Sequence, residues 1–111
     1  MEIKTEKRDG ITIVEIIGNL DSNTAPEAQG TIVPLIEPNC LLVLDMGQCH
    51  YVSSAGLRVL LMIAKLLATK RGQCALANVS DEVKDVMEIT GFASFFKTYD
   101  TVSNAIKAFK K

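Results

Sequence analysis

Cys40-Leu41-Leu42-Val43-Leu44-Asp45-Met46-Gly47-Gln48-Cys49-His50-Tyr51-Val52-Ser53-Ser54-Ala55-Gly56-Leu57-Arg58 is the stretch on which the fold turns. Residues 40–44 form an unbroken apolar run that stops at Asp45. A run this short and uniformly apolar fits a strand buried on both faces by crossover helices. Met46 to Val52 then reads as a loop, and two serines stand where the next helix begins. From Leu57 to Ala68 only Arg58 and Lys65 are charged. A membrane-spanning helix needs about 20 apolar residues, so this shorter stretch reads as a buried helix with more apolar surface than one core face requires.

Working outward, the same alternation of strand and helix recurs. Gln73 to Ala77 is a second buried strand, and Arg71-Gly72 supplies a cation and a stop at the end of the preceding helix. Ser80 is placed to cap a helix whose apolar face is Val83, Val86 and Met87, closed by Thr90-Gly91. Phe95 to Tyr99 reads as a last strand. Val102, Ala105, Ile106 and Phe109 form the stripe of a C-terminal helix ending in Lys110 and Lys111. On the N-terminal side, Glu2 to Lys7 and Ile11 to Ile17 flank Arg8-Asp9-Gly10, whose Asp-Gly step suits a tight hairpin turn. The first of these strands is polar enough to be a sheet edge. Leu20 to Thr24 gathers cap-type side chains ahead of Pro26, so a helix should run towards Leu35, shortened or kinked by Gly30 and Pro34. The expected class is α/β: a mixed sheet of about four to five strands packed with about four helices, in one domain spanning residues 1–111.

Composition narrows the function. Twelve Lys and Arg against thirteen Asp and Glu leave a net charge of −1, which lacks the basic footprint of a nucleic-acid binder. Cys40, Cys49 and Cys74 are not spaced as zinc ligands, and the single His50 completes no set, so neither a metal nor a cofactor is expected. An odd number of cysteines behind a charged N-terminus points to free thiols in the cytoplasm and to no insertion in a membrane.

In open α/β sheets, function gathers beyond the carboxyl ends of the strands, which is where Ser53 and Ser54 fall. One of them has the plain role of N-cap. A nucleophile elbow would need glycine at position 52, where this chain has Val52, and His50 four residues from Ser54 makes no dyad by itself. A small serine hydrolase using Ser54 and His50 is thus weakly encoded, and the glycine-rich nucleotide loops are absent. Phosphate acceptance fits better, because a helix N-terminus tolerates negative charge and the modification alters surface more than fold. On a helical wheel Leu57, Leu60, Leu61, Ile63, Ala64, Leu67 and Ala68 share the expected core arc. Arg58, Lys65 and Thr69 make a polar strip. Ala55, Val59, Met62 and Leu66 make a third, apolar arc beside the serines, covered within the fold or serving as a docking surface.

The run from Leu20-Asp21, through the strand ending at Asp45, to Tyr51-Val52-Ser53-Ser54-Ala55-Gly56-Leu57-Arg58, with the late Ile89-Thr90-Gly91-Phe92 segment, resembles the STAS domain of bacterial anti-sigma factor antagonists. The resemblance covers almost the whole chain and implies a non-enzymatic regulator. Aligned on Gly56-Leu57, it places the phosphorylated serine of that family at Ser54. It further implies that the unphosphorylated form binds an anti-sigma factor that is also a serine kinase and so frees the sigma factor. Phosphorylation would release that partner, and a PP2C-type phosphatase would reset the switch. The resemblance places Asp21 near the same surface, with Ser53, Ser54, Ala55, Val59, Met62 and Leu66 as expected contacts, in a monomer or weak dimer. Two positions depart from the common pattern: Ser53 stands where many members have aspartate, and Ala55 where they have serine or threonine, which makes Ser53 a competing acceptor. The alternative within the same architecture is a non-switching adaptor in a lipid-transport or sensory complex.

Overall fold

A computed structural model describes residues 1–110; Lys111, expected at the end of the last helix, lies outside them. The strands are β1 (Glu2–Arg8), β2 (Ile11–Ile17), β3 (Leu41–Gln48), β4 (Gln73–Ala77) and β5 (Lys97–Tyr99). The helices are α1 (Ala25–Ile32), α2 (Ser54–Thr69), α3 (Asp81–Ile89) and α4 (Val102–Phe109), with single 3₁₀ turns at Val33–Leu35 and Phe92–Phe95. One sheet holds the strands in the order β1-β2-β3-β4-β5, with β1 antiparallel to β2 and every other pair parallel. The expected mixed α/β architecture is the one observed.

Local chemistry explains the joints. Asp9 and Gly10 both take positive φ, 56° and 79°, as the two-residue hairpin requires. Pro26 sits in the first turn of α1, where its missing N–H costs nothing, and Pro34 turns the end of that helix into a 3₁₀ turn. Ser80 Oγ accepts the Val83 N–H and caps α3 as expected.

The two sheet faces are unequal. Val14, Ile16, Leu42, Leu44, Met46 and Leu76 carry the larger core, closed by α1, α2 and α3 through residues such as Ala28, Leu60, Ile63 and Met87. Ile11, Ile13, Val43, Ala75 and Ala77 face the other way and are covered by Ala105 and Ile106 of α4. β3 thus has buried side chains on both faces and neighbours on both edges, as its uniform apolar run implied.

Four expectations need correction. β3 does not stop at Asp45; it continues to Gln48, because Met46 is buried in the larger core and extends the pattern by one inward position. The segment read as a strand over residues 95–99 begins as a 3₁₀ turn through Phe95, and only Lys97–Tyr99 pairs with β4. Val86, placed on the buried face of α3, is exposed, and Val83 and Met87 alone are buried. The stop at the end of α2 is not glycine's alone. Arg71 takes the left-handed conformation, with φ 62°, while the Gly72 N–H returns to the Leu67 carbonyl at 2.7 Å. Gly72 is required by space, since a Cβ there would stand 2.6 Å from the Cys40 carbonyl oxygen.

Candidate functional site

Two loops build the site at the carboxyl ends of β2 and β3. Leu20 and Val52 form an isolated parallel bridge; the Leu20 N–H donates to the Tyr51 carbonyl and the Ser53 N–H donates to the Leu20 carbonyl, both at 2.9 Å. This pairing locks the start of α2 against the segment that carries Asp21. The chain can close so tightly only because residue 56 is glycine: a Cβ there would lie 2.4 Å from the Leu20 carbonyl oxygen.

The two serines are divided by their hydrogen bonds. Ser53 is the N-cap, with extended backbone, and its Oγ accepts the Gly56 N–H at 3.3 Å. Its carbonyl also accepts the Leu57 N–H at 2.8 Å, beginning the helical ladder. Ser54 is the first helical residue, exposed, and its hydroxyl takes part in no side-chain hydrogen bond among the described residues. Asp21 is a loop organiser: its Oδ1 accepts the N–H groups of Asn23 at 2.9 Å and Thr24 at 3.1 Å. Thr24 Oγ1 accepts the Asp21 N–H and donates to the Asn19 carbonyl, closing the turn ahead of α1.

The surface around Ser54 differs from the wheel in its phase. Gly56, Leu57, Val59, Leu60, Ile63 and Leu67 are the buried positions of α2, so the core arc is rotated towards Val59 and away from Ala68, which is exposed. Val59 packs in the larger core and is not part of an exposed patch. Leu66 and Ala64 are half-buried against that core. Ala55 and Met62 are half-exposed on one flank of the Arg58–Lys65 strip, and Leu61 is half-exposed on the other. The rotation has a physical cause: α2 contacts both α1 and the turn after α3, and these neighbours draw more of its circumference inward.

Tyr51 is a residue the sequence reading passed over. It is 54% exposed beside Ser53, while Val52 is buried. An extended segment that alternates outward Tyr51 with inward Val52 carried the signal, hidden because the segment was read as an irregular loop. Other loop residues stabilise the frame. Cys49 is buried, its Sγ lies 3.6 Å from the Tyr51 carbonyl, and burial pushes its thiol up. Asp45 Oδ1 accepts from the Gly47 N–H and from Asn78 Nδ2, each at 3.0 Å, tying the ends of β3 and β4 together. His50 is exposed and shares no hydrogen bond with Ser54 among the described residues. No three His, Cys, Asp or Glu side chains of the described residues gather as a metal site. No helix among them is long and apolar enough to cross a membrane.

Known proteins share this fold. BtrV of Bordetella bronchiseptica, assigned as an anti-sigma factor antagonist, is 34% identical over 111 residues, covering 99% of this chain and 96% of its own. The crystal structure of an anti-sigma factor antagonist from Mycobacterium paratuberculosis superposes with a TM-score of 0.88 at 23% identity, covering 99% of this chain and 94% of that one. The Bacillus cell fate determinant SpoIIAA in its phosphorylated form superposes at 0.73 and 17% identity, with 97% and 99% covered. Residues 2–105 match the family described as the STAS domain, and the strand-to-α2 junction with its paired serines therefore belongs to a chain that is a member of the STAS domain family.

Proposed function

We propose that this chain acts as an anti-sigma factor antagonist whose affinity for its partner is gated by phosphorylation of Ser54. It works as a single domain over residues 1–111, in the cytoplasm, as a monomer or weak dimer. The unmodified form binds an anti-sigma factor with serine kinase activity and frees the sigma factor; the phosphorylated form is released and is reset by a PP2C-type phosphatase. The role is regulatory, and the catalyst sits in the partner.

The observation that carries the reading is the division of labour between the serines. Ser53 Oγ is committed to the Gly56 N–H, whereas Ser54 is exposed at the first helical position. A phosphate carries about −1.5 to −2 charge at neutral pH and is tolerated where helix N–H groups are unpaired, so Ser54 can be modified without loss of the fold. Removing the Ser53 cap would instead weaken the helix that presents the site. Half-exposed Ala55 and Met62, with Tyr51 and the Asp21 loop alongside, supply the contact surface. Leu66 borders it and Val59 supports it from within the core. The likeness in sequence to BtrV and in fold to phosphorylated SpoIIAA points the same way.

The test is to incubate the protein with its cognate kinase and ATP, locate the phosphate by peptide mass spectrometry, and measure kinase binding by Ser54→Asp and Ser54→Ala variants. Phosphate on Ser54, binding weakened at least tenfold by Ser54→Asp, and binding retained by Ser54→Ala are expected, a tenfold loss corresponding to about 1.4 kcal/mol. Phosphate confined to Ser53, or a Ser54→Asp variant that binds like the wild type, would overturn the reading.

A further inference from the structure

We propose that Arg58 is the internal cation that captures a phosphate on Ser54, so that modification both adds negative charge at the start of α2 and ties down the exposed guanidinium one turn along it. This deepens the phosphoacceptor reading above and rests on it. Ser54 and Arg58 are four residues apart in α2, both exposed. At that spacing the Cβ atoms of a helix lie about 5–6 Å apart on one face. Helical side chains lean towards the N-terminus, so the long Arg58 side chain can reach back over the turn that starts at Ser54.

Three further observations leave Arg58 free for this role. The ion pairs of the described residues are Arg8 with Glu6 and Lys110 with Asp9, and neither involves α2. The first turn of α2 contains no acidic residue, so nothing of its own competes for the guanidinium. The next cation on the strip, Lys65, is seven residues further along the helix, about 10 Å from Arg58 at 1.5 Å per residue. Arg58 is therefore the basic side chain of α2 within reach of a phosphate on Ser54. A guanidinium meets phosphate oxygens through paired N–H donors, a geometry no hydroxyl at position 54 can offer it. In the unmodified protein Arg58 is exposed and outside the ion pairs of the described residues; in the modified protein the phosphate holds it against its own helix.

The experiment uses protein with phosphoserine encoded at position 54 during translation, titrated by ³¹P NMR. An arginine paired to the dianion lowers the second phosphate pKa, so Arg58→Ala should raise that value by about half a unit. Arg58→Lys should restore part of the shift, and Lys65→Ala, the same loss of charge about 17 Å along the helix from Ser54, should move it by less than about 0.1 unit. Equal values in the wild type and Arg58→Ala, or equal shifts from Arg58→Ala and Lys65→Ala, would overturn the proposal. Because the phosphate is installed without a kinase, this result is independent of whether the kinase chooses Ser54. Failure of the kinase reaction would instead sink the phosphoacceptor reading alone.

Discussion

Gly56 shows how one residue fixes the site. Its missing Cβ is what allows the Leu20 carbonyl to approach α2, and an added methyl would lie 2.4 Å from that oxygen and 3.0 Å from Val52 Cγ1. Backbone cannot yield as a flexible side chain can, so Gly56→Ala should destabilise the protein by about 2 kcal/mol or more, read as a lower urea midpoint. Gly30 makes the contrast: it lies within α1 with nothing near its missing Cβ, and Gly30→Ala should raise stability by about 0.5–1 kcal/mol. Equal effects of the two changes would refute the steric account. Cys74 gives a pH-dependent prediction. Burial, with Cys40 nearby, pushes its thiol up to about 12 from an unfolded value of 9.0. The unfolded chain therefore loses this proton first, and the stability Cys74 confers is complete below pH 9 and falls away as pH rises towards 12. Urea midpoints measured from pH 7 to 11 should decline more in the wild type than in Cys74→Val, and parallel curves would contradict the assignment. Such single-residue facts were only partly legible in the sequence. The Asp9-Gly10 turn and the Ser80 cap follow from local chemistry, whereas the need for glycine at positions 56 and 72 arises from carbonyls distant in sequence.

At the scale of the element, α2 was readable in its extent and misread in its phase. Hydrophobic periodicity locates a helix, but its stripe here covers most of the circumference, so the pattern alone cannot say which arc faces the sheet. The contacts with α1 and with the turn after α3 decide that, and they bury Val59 while leaving Ala68 out. β3 runs past the expected end for a related reason: Asp45 looks like a strand end, yet its carboxylate is satisfied by Gly47 of the same strand and by Asn78 just past β4, and the strand carries on. The pair of serines offers the clearest test at this scale. Ser53→Ala removes the side chain that satisfies the Gly56 N–H and should cost about 1 kcal/mol in thermal or urea unfolding. Ser54→Ala removes an exposed hydroxyl outside the cap and should change stability by less than about 0.5 kcal/mol. The reverse order would mean that Ser54 is the cap and Ser53 the free hydroxyl, exchanging the two candidates for modification.

Across the whole molecule, stability is graded from the middle of the sheet outward. β3 is paired on both edges, covered on one face by α1, α2 and α3 and on the other by α4, while β1 is an edge strand whose residues are nearly all exposed. β5 closes the opposite edge with just three residues. The uniform apolar runs of β3 and β4 announced a doubly covered sheet, but the unequal helices on its two faces depend on how each crossover passes, which no local run records. The consequence is measurable by native-state hydrogen exchange. Amides of Val43 and Leu44 can open only with both cores, so they should exchange at the rate of global unfolding. Amides of β1 and β5 should exchange faster, through local fraying that leaves the larger core intact. The amides of Leu20 and Ser53, bonded to the Tyr51 and Leu20 carbonyls at the Leu20–Val52 bridge, should be protected more than those of β5, although they too lie at the periphery. That ordering matters for the proposed switch: a phosphoacceptor mounted on a fraying turn would report its own disorder, whereas one pinned between two strand ends presents a fixed hydroxyl to a partner. If the amides of Leu20 and Ser53 exchanged as fast as those of Lys97–Tyr99, the bridge would not be holding the site, and the partner would have to order it on binding.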